Sequence, residues 1–442
     1  MKPVFIITTL LASSLLASVN SHALSLQESF ELAQQSDPEI ISAKAEYEAA
    51  AENIPQARSA LLPQISLDVF VGNNEQITSN ASGGFYSDGT EDNDSQGYQL
   101  TLNQTLYNHQ YYKFLDQAKA SVAQAAAFYS SQQQQLLVRV AEQYFDVLAA
   151  EDSLRFAIAE KKAVAKQLEQ TKKRFEVGLI AITDVKEAQA QFDLTAAQEI
   201  AARNQLDNSK EVLQVTINQP VDQLSGLQEQ FPLAVPSPNN VSEWTQTAEQ
   251  QNLGIKAASY ALEAAQAGKH ASRAGHYPSL SLQATQSDTE FDGTTGIADR
   301  EDTTISINLN IPLYAGGTTS SKSRQAGFEL RRAQSNLELQ KRLARQQTRS
   351  AFLGLNAAIA SVKALKQALI SNQTAVEATT AGFEVGTRTS VDVLNALRNQ
   401  YRAERDYAQS RYDYLINRLK LKQAAGVLDK SDIETINQWF NQ

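Results

Sequence analysis

The stretch Arg174-Phe175-Glu176-Val177-Gly178-Leu179-Ile180-Ala181-Ile182-Thr183-Asp184-Val185 returns in altered form as Gly382-Phe383-Glu384-Val385-Gly386-Thr387-Arg388-Thr389-Ser390-Val391-Asp392-Val393. The two aspartates are 392 − 184 = 208 residues apart, nearly half of the 442-residue chain. Upstream, Arg58 with Leu62-Pro63 is matched by Arg273 with Tyr277-Pro278 at an offset of 215. Leu102-Asn103 with Leu106-Tyr107 is matched by Leu309-Asn310 with Leu313-Tyr314 at 207. Three landmarks in one order at nearly one offset identify a tandem duplication whose halves share a fold.

Around these landmarks two kinds of segment alternate. Tyr107 to Val177 contains neither glycine nor proline in 71 consecutive residues and is rich in Ala, Gln, Leu, Lys and Glu, all good helix formers. At 1.5 Å per residue such a run builds a rod of roughly 100 Å, too long for one compact domain and suited to a coiled-coil-like bundle. Leu179 to Gln219 and Thr387 to Ala425 are also free of breaks, and the second half's counterpart of the rod starts near Thr318 with Gly327 and Gly354 as mild interruptions before the Gly382-to-Gly386 turn region.

Four other segments alternate with period two: Ile65, Leu67, Val69 and Val71; Tyr98, Leu100 and Leu102; Leu280, Leu282 and Ala284; Ile305, Ile307, Leu309 and Ile311. Each predicts a strand with one apolar and one polar face. The intervening stretches, Gly72 to Gly97 and Gln286 to Asp302, are rich in Gly, Asn, Asp and Ser and read as long acidic loops. Tyr107, Tyr277 and Tyr314 flank the strands at one end, as aromatics do at a membrane interface.

The expected plan is a signal peptide over 1–23, a first repeat over 24–240 and a second over 241–442. The first repeat has a helix, strands near 64–72 and 97–106, a long helix over 107–177, a helix over 182–216 and a connector over 217–240. The second has a helix, strands near 279–287 and 303–313, long helices and a C-terminal belt segment over 427–442. In the leader, Lys2 is the positive end, Val4 to Ala17 is mostly apolar, and Ser21-His22-Ala23 is a small-x-small cleavage site. Beyond it no run of some 18 apolar residues exists to form a spanning helix.

Four strands cannot close a membrane barrel, and lipid tolerates no open sheet edge. Identical chains must therefore pool their strands around an axis. Two copies give about eight strands and a filled interior, whereas three give about twelve and room for water; three is the preferred number.

Composition removes other classes. The chain has no cysteine, so disulfides and thiolate metal sites are absent. A net charge of −10 argues against nucleic acid. No phosphate loop, dinucleotide fingerprint or nucleophile elbow occurs, and His109, His270 and His276 have no carboxylate at ligand spacing; the expectation is a non-enzyme without cofactor or metal.

The residues also resemble one known family, the TolC-type outer-membrane efflux proteins, from about Leu24 to Thr435. The most specific matches are Ala57-Arg58-Ser59-Ala60-Leu61-Leu62-Pro63-Gln64, the two repeated stretches quoted above, and Arg411-Tyr412 with Tyr414-Leu415-Ile416-Asn417. The resemblance implies a mainly α fold: a homotrimer with a 12-strand transmembrane β-barrel in outer-membrane lipid, a long periplasmic α-barrel and a mixed belt around it. It further implies a passive exit duct for multidrug export and type I secretion, partnered by a periplasmic adaptor and an inner-membrane pump.

By resemblance, Thr183, Asp184, Phe383, Arg388 and Arg411 are gating links at the periplasmic end. Phe383 stands where the family has a tyrosine, so the expected hydroxyl bond is missing. Asp392 and Asn395 occupy the positions of an entrance ring, with Asn395 replacing a second aspartate. The turns at Gly178 and Gly386 are the expected adaptor-docking points, glycine permitting a tight turn and close backbone approach. Read locally, Thr183 and Ser390 are also candidate helix caps and Arg388 a solvated side chain. The competing function is a periplasmic coiled-coil adaptor or scaffold without channel activity, which leaves the repeated strands unexplained.

Overall fold

Two long helical hairpins and one antiparallel sheet dominate the chain, and the duplication is visible in their lengths. The computed structural model describes residues 23–78, 89–229, 231–293 and 296–440; the leader, apart from Ala23, lies outside the described residues. The first half runs α1 (Leu26–Ser36), α2 (Pro38–Ala51), α3 (Asn53–Ser59), β1 (Gln64–Thr78), β2 (Gly89–Asn108), α4 (His109–Glu176) and α5 (Ile182–Ile217). The second runs α6 (Val241–Gln251), α7 (Leu253–Ala274), β3 (Ser279–Gly293), β4 (Gly296–Asn310), α8 (Thr318–Glu384) and α9 (Ser390–Ala425), with α10 (Lys430–Asn437) at the end. Helices α4 and α8 have 68 and 67 residues, and α5 and α9 have 36 each.

The helical segment ahead of each strand pair is broken where a single helix was expected. Asp37 accepts a hydrogen bond from the Glu39 N–H at 2.7 Å, and Pro38 occupies the first helical position. Asn252 caps α7 in the same way through the Ile255 N–H at 3.2 Å. A short acceptor side chain that captures a free N–H starts a new helix at the cost of the old one. The two breaks are 252 − 37 = 215 residues apart, the offset of the neighbouring sequence landmarks.

The strands lie in the order β1-β2-β3-β4, all antiparallel. The register aligns Ile65, Leu102, Ala284 and Ile305 in one row, and Ser66, Thr101, Thr285 and Thr304 in the next. Directly opposed residues share a face and successive residues alternate. One face near the helices is therefore aliphatic, and the other carries Gln64, Asn103, Gln283 and Ser306 beside the Ser/Thr row. Ile65 and Ile305 are 67% and 73% exposed in the single chain.

The stretches expected as loops are mostly strand. β1 continues to Thr78, β2 begins at Gly89, and β3 and β4 reach Gly293 and Gly296; residues 79–88 and 294–295 lie outside the described residues. Alternation of apolar side chains marks only the part of a strand with one greasy face, whereas the backbone ladder continues wherever register is kept. Polar cross-strand pairs line the extension: Asn73 donates to Asp94 at 2.7 Å and Gln96 to Glu290 at 2.7 Å. Fifteen residues span about 50 Å at ~3.4 Å each, more than the 9–11 tilted residues that cross a bilayer.

At the other end β2 runs to Asn108, whose side chain caps α4 through Gln110 at 3.0 Å. β4 stops at Asn310, short of the expected 313, because Pro312 has no N–H to extend the ladder. Among the described residues no helix is long and apolar enough to cross a membrane.

The densest core lies midway along the rods. Tyr144 and Phe145 of α4, Tyr412 and Tyr414 of α9, Leu26 and Phe30 of α1, and Phe440 are all buried there. The connector and the C-terminal segment are stitched across it by bridges Leu24–Leu224 and Leu227–Phe440. The Tyr144 hydroxyl lies 2.9 Å from both the Leu24 and the Ser225 carbonyl oxygens, and burial pushes its pKa far above that of an ordinary phenol. Trp244 donates to the Pro238 carbonyl at 2.7 Å, and Trp439 stacks on Phe231 at 6.0 Å.

Candidate functional site

The ends of the two hairpins farthest from the sheet bring together most of the singled-out residues. α4 closes with Gly178 N–H bonded to the Phe175 carbonyl and Leu179 N–H to the Arg174 carbonyl, both at 2.9 Å. α8 closes more tightly: the Gly382 carbonyl accepts from the Thr387 N–H at 2.8 Å and from the Arg388 N–H at 3.2 Å. Gly178 and Gly386 have φ of +77° and +84°, a region costly for any residue with a Cβ. A Cβ on either would meet open space. Glycine is needed here for the turn alone, not for the close backbone approach also expected.

The first turn of α9 carries a reciprocal cap. Thr389 Oγ1 accepts from the Asp392 N–H at 3.2 Å, while Asp392 Oδ2 accepts from the Thr389 N–H and hydroxyl, both at 2.9 Å. These bonds, from the Thr389 backbone first, hold the Asp392 carboxyl below the usual carboxylate range, with Arg388 a minor aid. The capping residue is thus Thr389 and not Ser390. Ser390 turns inward, its hydroxyl 2.8 Å from Thr171 Oγ1 and accepting from Gln167 at 3.2 Å. Thr183 does not cap either: the N-cap position of α5 is Ala181, which offers no side-chain cap, and Thr183 is exposed inside the first turn.

Arg388 is exposed and, among the described residues, forms no ion pair; its Cγ lies 2.8 Å from where a Cβ on Gly382 would sit. Asp184 is half-buried at the start of α5, and Asn395 is exposed three residues beyond Asp392 on α9. Phe383 is buried, 3% exposed, and its partner is a residue the sequence reading quoted but gave no role. The Arg174 guanidinium lies 4.2 Å from the Phe383 ring centroid and donates to the Phe383 carbonyl at 2.9 Å. A signal for Arg174 existed in the repeat: its counterpart is Gly382, and the counterpart of Arg388 is Ile180. Each copy carries one arginine, at inequivalent positions.

Arg411 does not join this group. It lies 22 residues past Thr389, about 33 Å along α9 at 1.5 Å per residue. It is buried in the mid-rod belt, donating to the Gln228 carbonyl, with its guanidinium 5.5 Å from the Phe231 ring. Above the tip, buried Glu160 of α4 pairs with Arg405 of α9 at 2.9 Å. Among the described residues no group of three His, Cys, Asp or Glu side chains is arranged to hold a metal ion.

Residues 30–219 and 244–427 match the family model described as outer membrane efflux protein, one segment in each structural half. The chain belongs to the outer membrane efflux protein family. The outer membrane protein TolC of Vibrio cholerae is 39% identical over 420 residues, spanning 94% of this chain and 93% of that one. The alkaline protease secretion protein AprF of Pseudomonas aeruginosa is 30% identical over 426 residues, 96% and 88% of the two chains. The crystal structure of the Campylobacter jejuni CmeC outer membrane channel shares the fold, with a TM-score of 0.78 at 16% identity over 94% of this chain and 90% of that one. This efflux family member is therefore mainly α, with long paired helices and four antiparallel strands per chain, built by tandem duplication.

Proposed function

We propose that three copies of the chain assemble into an outer-membrane channel, the passive exit duct of tripartite efflux pumps and of type I protein secretion. The observation that carries this is the sheet register: an aliphatic row beside a Gln/Asn/Ser/Thr row, on a four-stranded sheet whose outer edges at β1 and β4 have no strand partner among the described residues. In lipid those edges must pair with other copies, and 3 × 4 = 12 strands enclose a polar bore, whereas eight would fill it. The 30% identical AprF is named for secretion and the 39% identical TolC for the outer membrane, which supports both the location and the cargo route.

In this reading the hairpin tips form the periplasmic entrance. Val177, Leu179 and Val385 beside the two turn glycines are exposed and offer apolar contacts to a periplasmic adaptor. Thr183, Asp184 and Arg388 act as links between neighbouring protomers, with Phe383 and Arg411 acting within the chain. Exposed ion pairs contribute ~0.2–1 kcal/mol each. A handful repeated by symmetry reaches the ~2.7 kcal/mol that holds a closed state at about 99:1, a bias the adaptor and inner-membrane pump can reverse on binding. Asp392, repeated around the axis, gives a ring of negative charge that favours cations, weaker than a double ring because Asn395 is neutral.

Planar-bilayer recording of protein purified from outer-membrane fractions tests the proposal. Discrete cation-preferring conductance steps are expected; a protein that stays with the soluble periplasmic fraction and conducts nothing is instead the adaptor or scaffold.

A further inference from the structure

We propose that Arg174 clasps the turn of the second hairpin to the first, and that this clasp, within one chain, sets the aperture of the entrance. The Arg174 guanidinium engages one residue in two ways, covering the Phe383 ring at 4.2 Å and donating Nη1 to the Phe383 carbonyl at 2.9 Å. That carbonyl lies in the last turn of α8, where acceptors carry partial negative charge and favour a cation. A planar fork is suited to stacking and hydrogen bonding together, which an ammonium cannot match. The far flank of the same turn is pinned as well, through the buried Ser390, Thr171 and Gln167 hydroxyl and amide contacts. Both flanks of the Phe383-to-Ser390 turn are thus held by two adjacent turns of α4, Gln167 to Arg174.

The clasp is one-sided. The repeat position equivalent to Arg174 is Gly382, where a Cβ would sit 2.8 Å from Arg388 Cγ and force that side chain to shift. The first hairpin therefore grips the second and not the reverse, and the gripped hairpin is the one that carries Arg388 and Asp392. Phe383, where the resemblance leads one to expect a tyrosine, presents a ring face to the guanidinium in place of a hydroxyl bond. The inference rests on the exit-duct reading for its consequence, but the clasp itself is a property of one chain.

The absence of cysteine makes a direct test available. Leu179→Cys and Thr387→Cys, both at exposed turn positions, place one spin label on each hairpin tip. Co-expression with excess unlabelled chains leaves one labelled protomer per assembly. Pulsed EPR on the intact, membrane-extracted protein should give a narrow distance distribution in the parent. Arg174→Ala and Phe383→Leu should each widen it at least twofold, with no further widening when combined. Arg174→Lys should fail to restore it, and Phe383→Tyr should keep it narrow. Bilayer recordings of the same preparations should give at least a twofold higher conductance for Arg174→Ala. An unchanged distance distribution in Arg174→Ala overturns the clasp, and a widened one with parental conductance overturns its control of the aperture. A parent that never conducts sinks the exit-duct reading while the distances still judge the clasp.

Discussion

Ser66 and Leu67 are neighbours in β1 that point to opposite faces, Ser66 opposite Thr101 and Leu67 opposite Leu100. If the aliphatic face meets lipid, an arginine at 67 must enter hydrocarbon, whereas an arginine at 66 enters the bore. The penalty for arginine on the lipid face is ~2–4 kcal/mol at mid-membrane. Three copies make it roughly 6–12 kcal/mol per assembly, and even one copy's share shifts a folding equilibrium roughly 30- to 700-fold. Urea titration of the protein folded into phosphatidylcholine vesicles reads this directly. Leu67→Arg should lower the midpoint strongly or block assembly. Ser66→Arg should leave it near the parent and reduce cation preference in bilayers. Equal loss in both variants would mean a sheet buried on both faces, and loss only in Ser66→Arg would reverse the assignment; either refutes the reasoning.

Three further variants have expected outcomes. Arg388→Ser should raise single-channel conductance by loosening the entrance, and an unchanged current removes Arg388 as a constraint. Asp392→Ala should reduce cation preference in bilayer recordings. The depressed Asp392 carboxyl means that its capping box stabilises α9 above the ordinary aspartate pKa of about 3.9 and loses that contribution as pH falls through the lower folded value. The Tm difference between parent and Asp392→Ala should therefore be constant from neutrality to about pH 5 and vanish in stronger acid. Tyr144→Phe removes the one hydroxyl proton shared between the Leu24 and Ser225 carbonyl oxygens. Leu24 keeps the Ser225 N–H as donor, so the loss falls on the buried Ser225 oxygen and should cost about 1–3 kcal/mol in the thermal transition of the assembly, without changing conductance.

The long helices were legible because propensity and the absence of glycine and proline act over tens of residues. The strands were legible only where one face is apolar; their outward extensions carry polar residues on both faces, so nothing in hydropathy distinguishes them from loop. The breaks at Asp37 and Asn252 needed attention to a single capping side chain, which a periodicity reading passes over. At the tips the sequence located the turns through Gly178 and Gly386. Thr389 and Ser390 are adjacent hydroxyl residues, and only the backbone geometry decides which caps and which turns inward. Arg174 and Phe383 are 383 − 174 = 209 residues apart, a contact that local pattern cannot reveal. Arg411 showed a similar limit: a residue assigned to the entrance by resemblance lies in the belt, and only the length of α9 exposes the distance.

Native mass spectrometry of the protein released from detergent micelles tests the shared barrel most directly. A species of three processed chains that persists at low protein concentration is the predicted result. A stable monomer, with its β1 and β4 edges satisfied by nothing but its own chain, would contradict it.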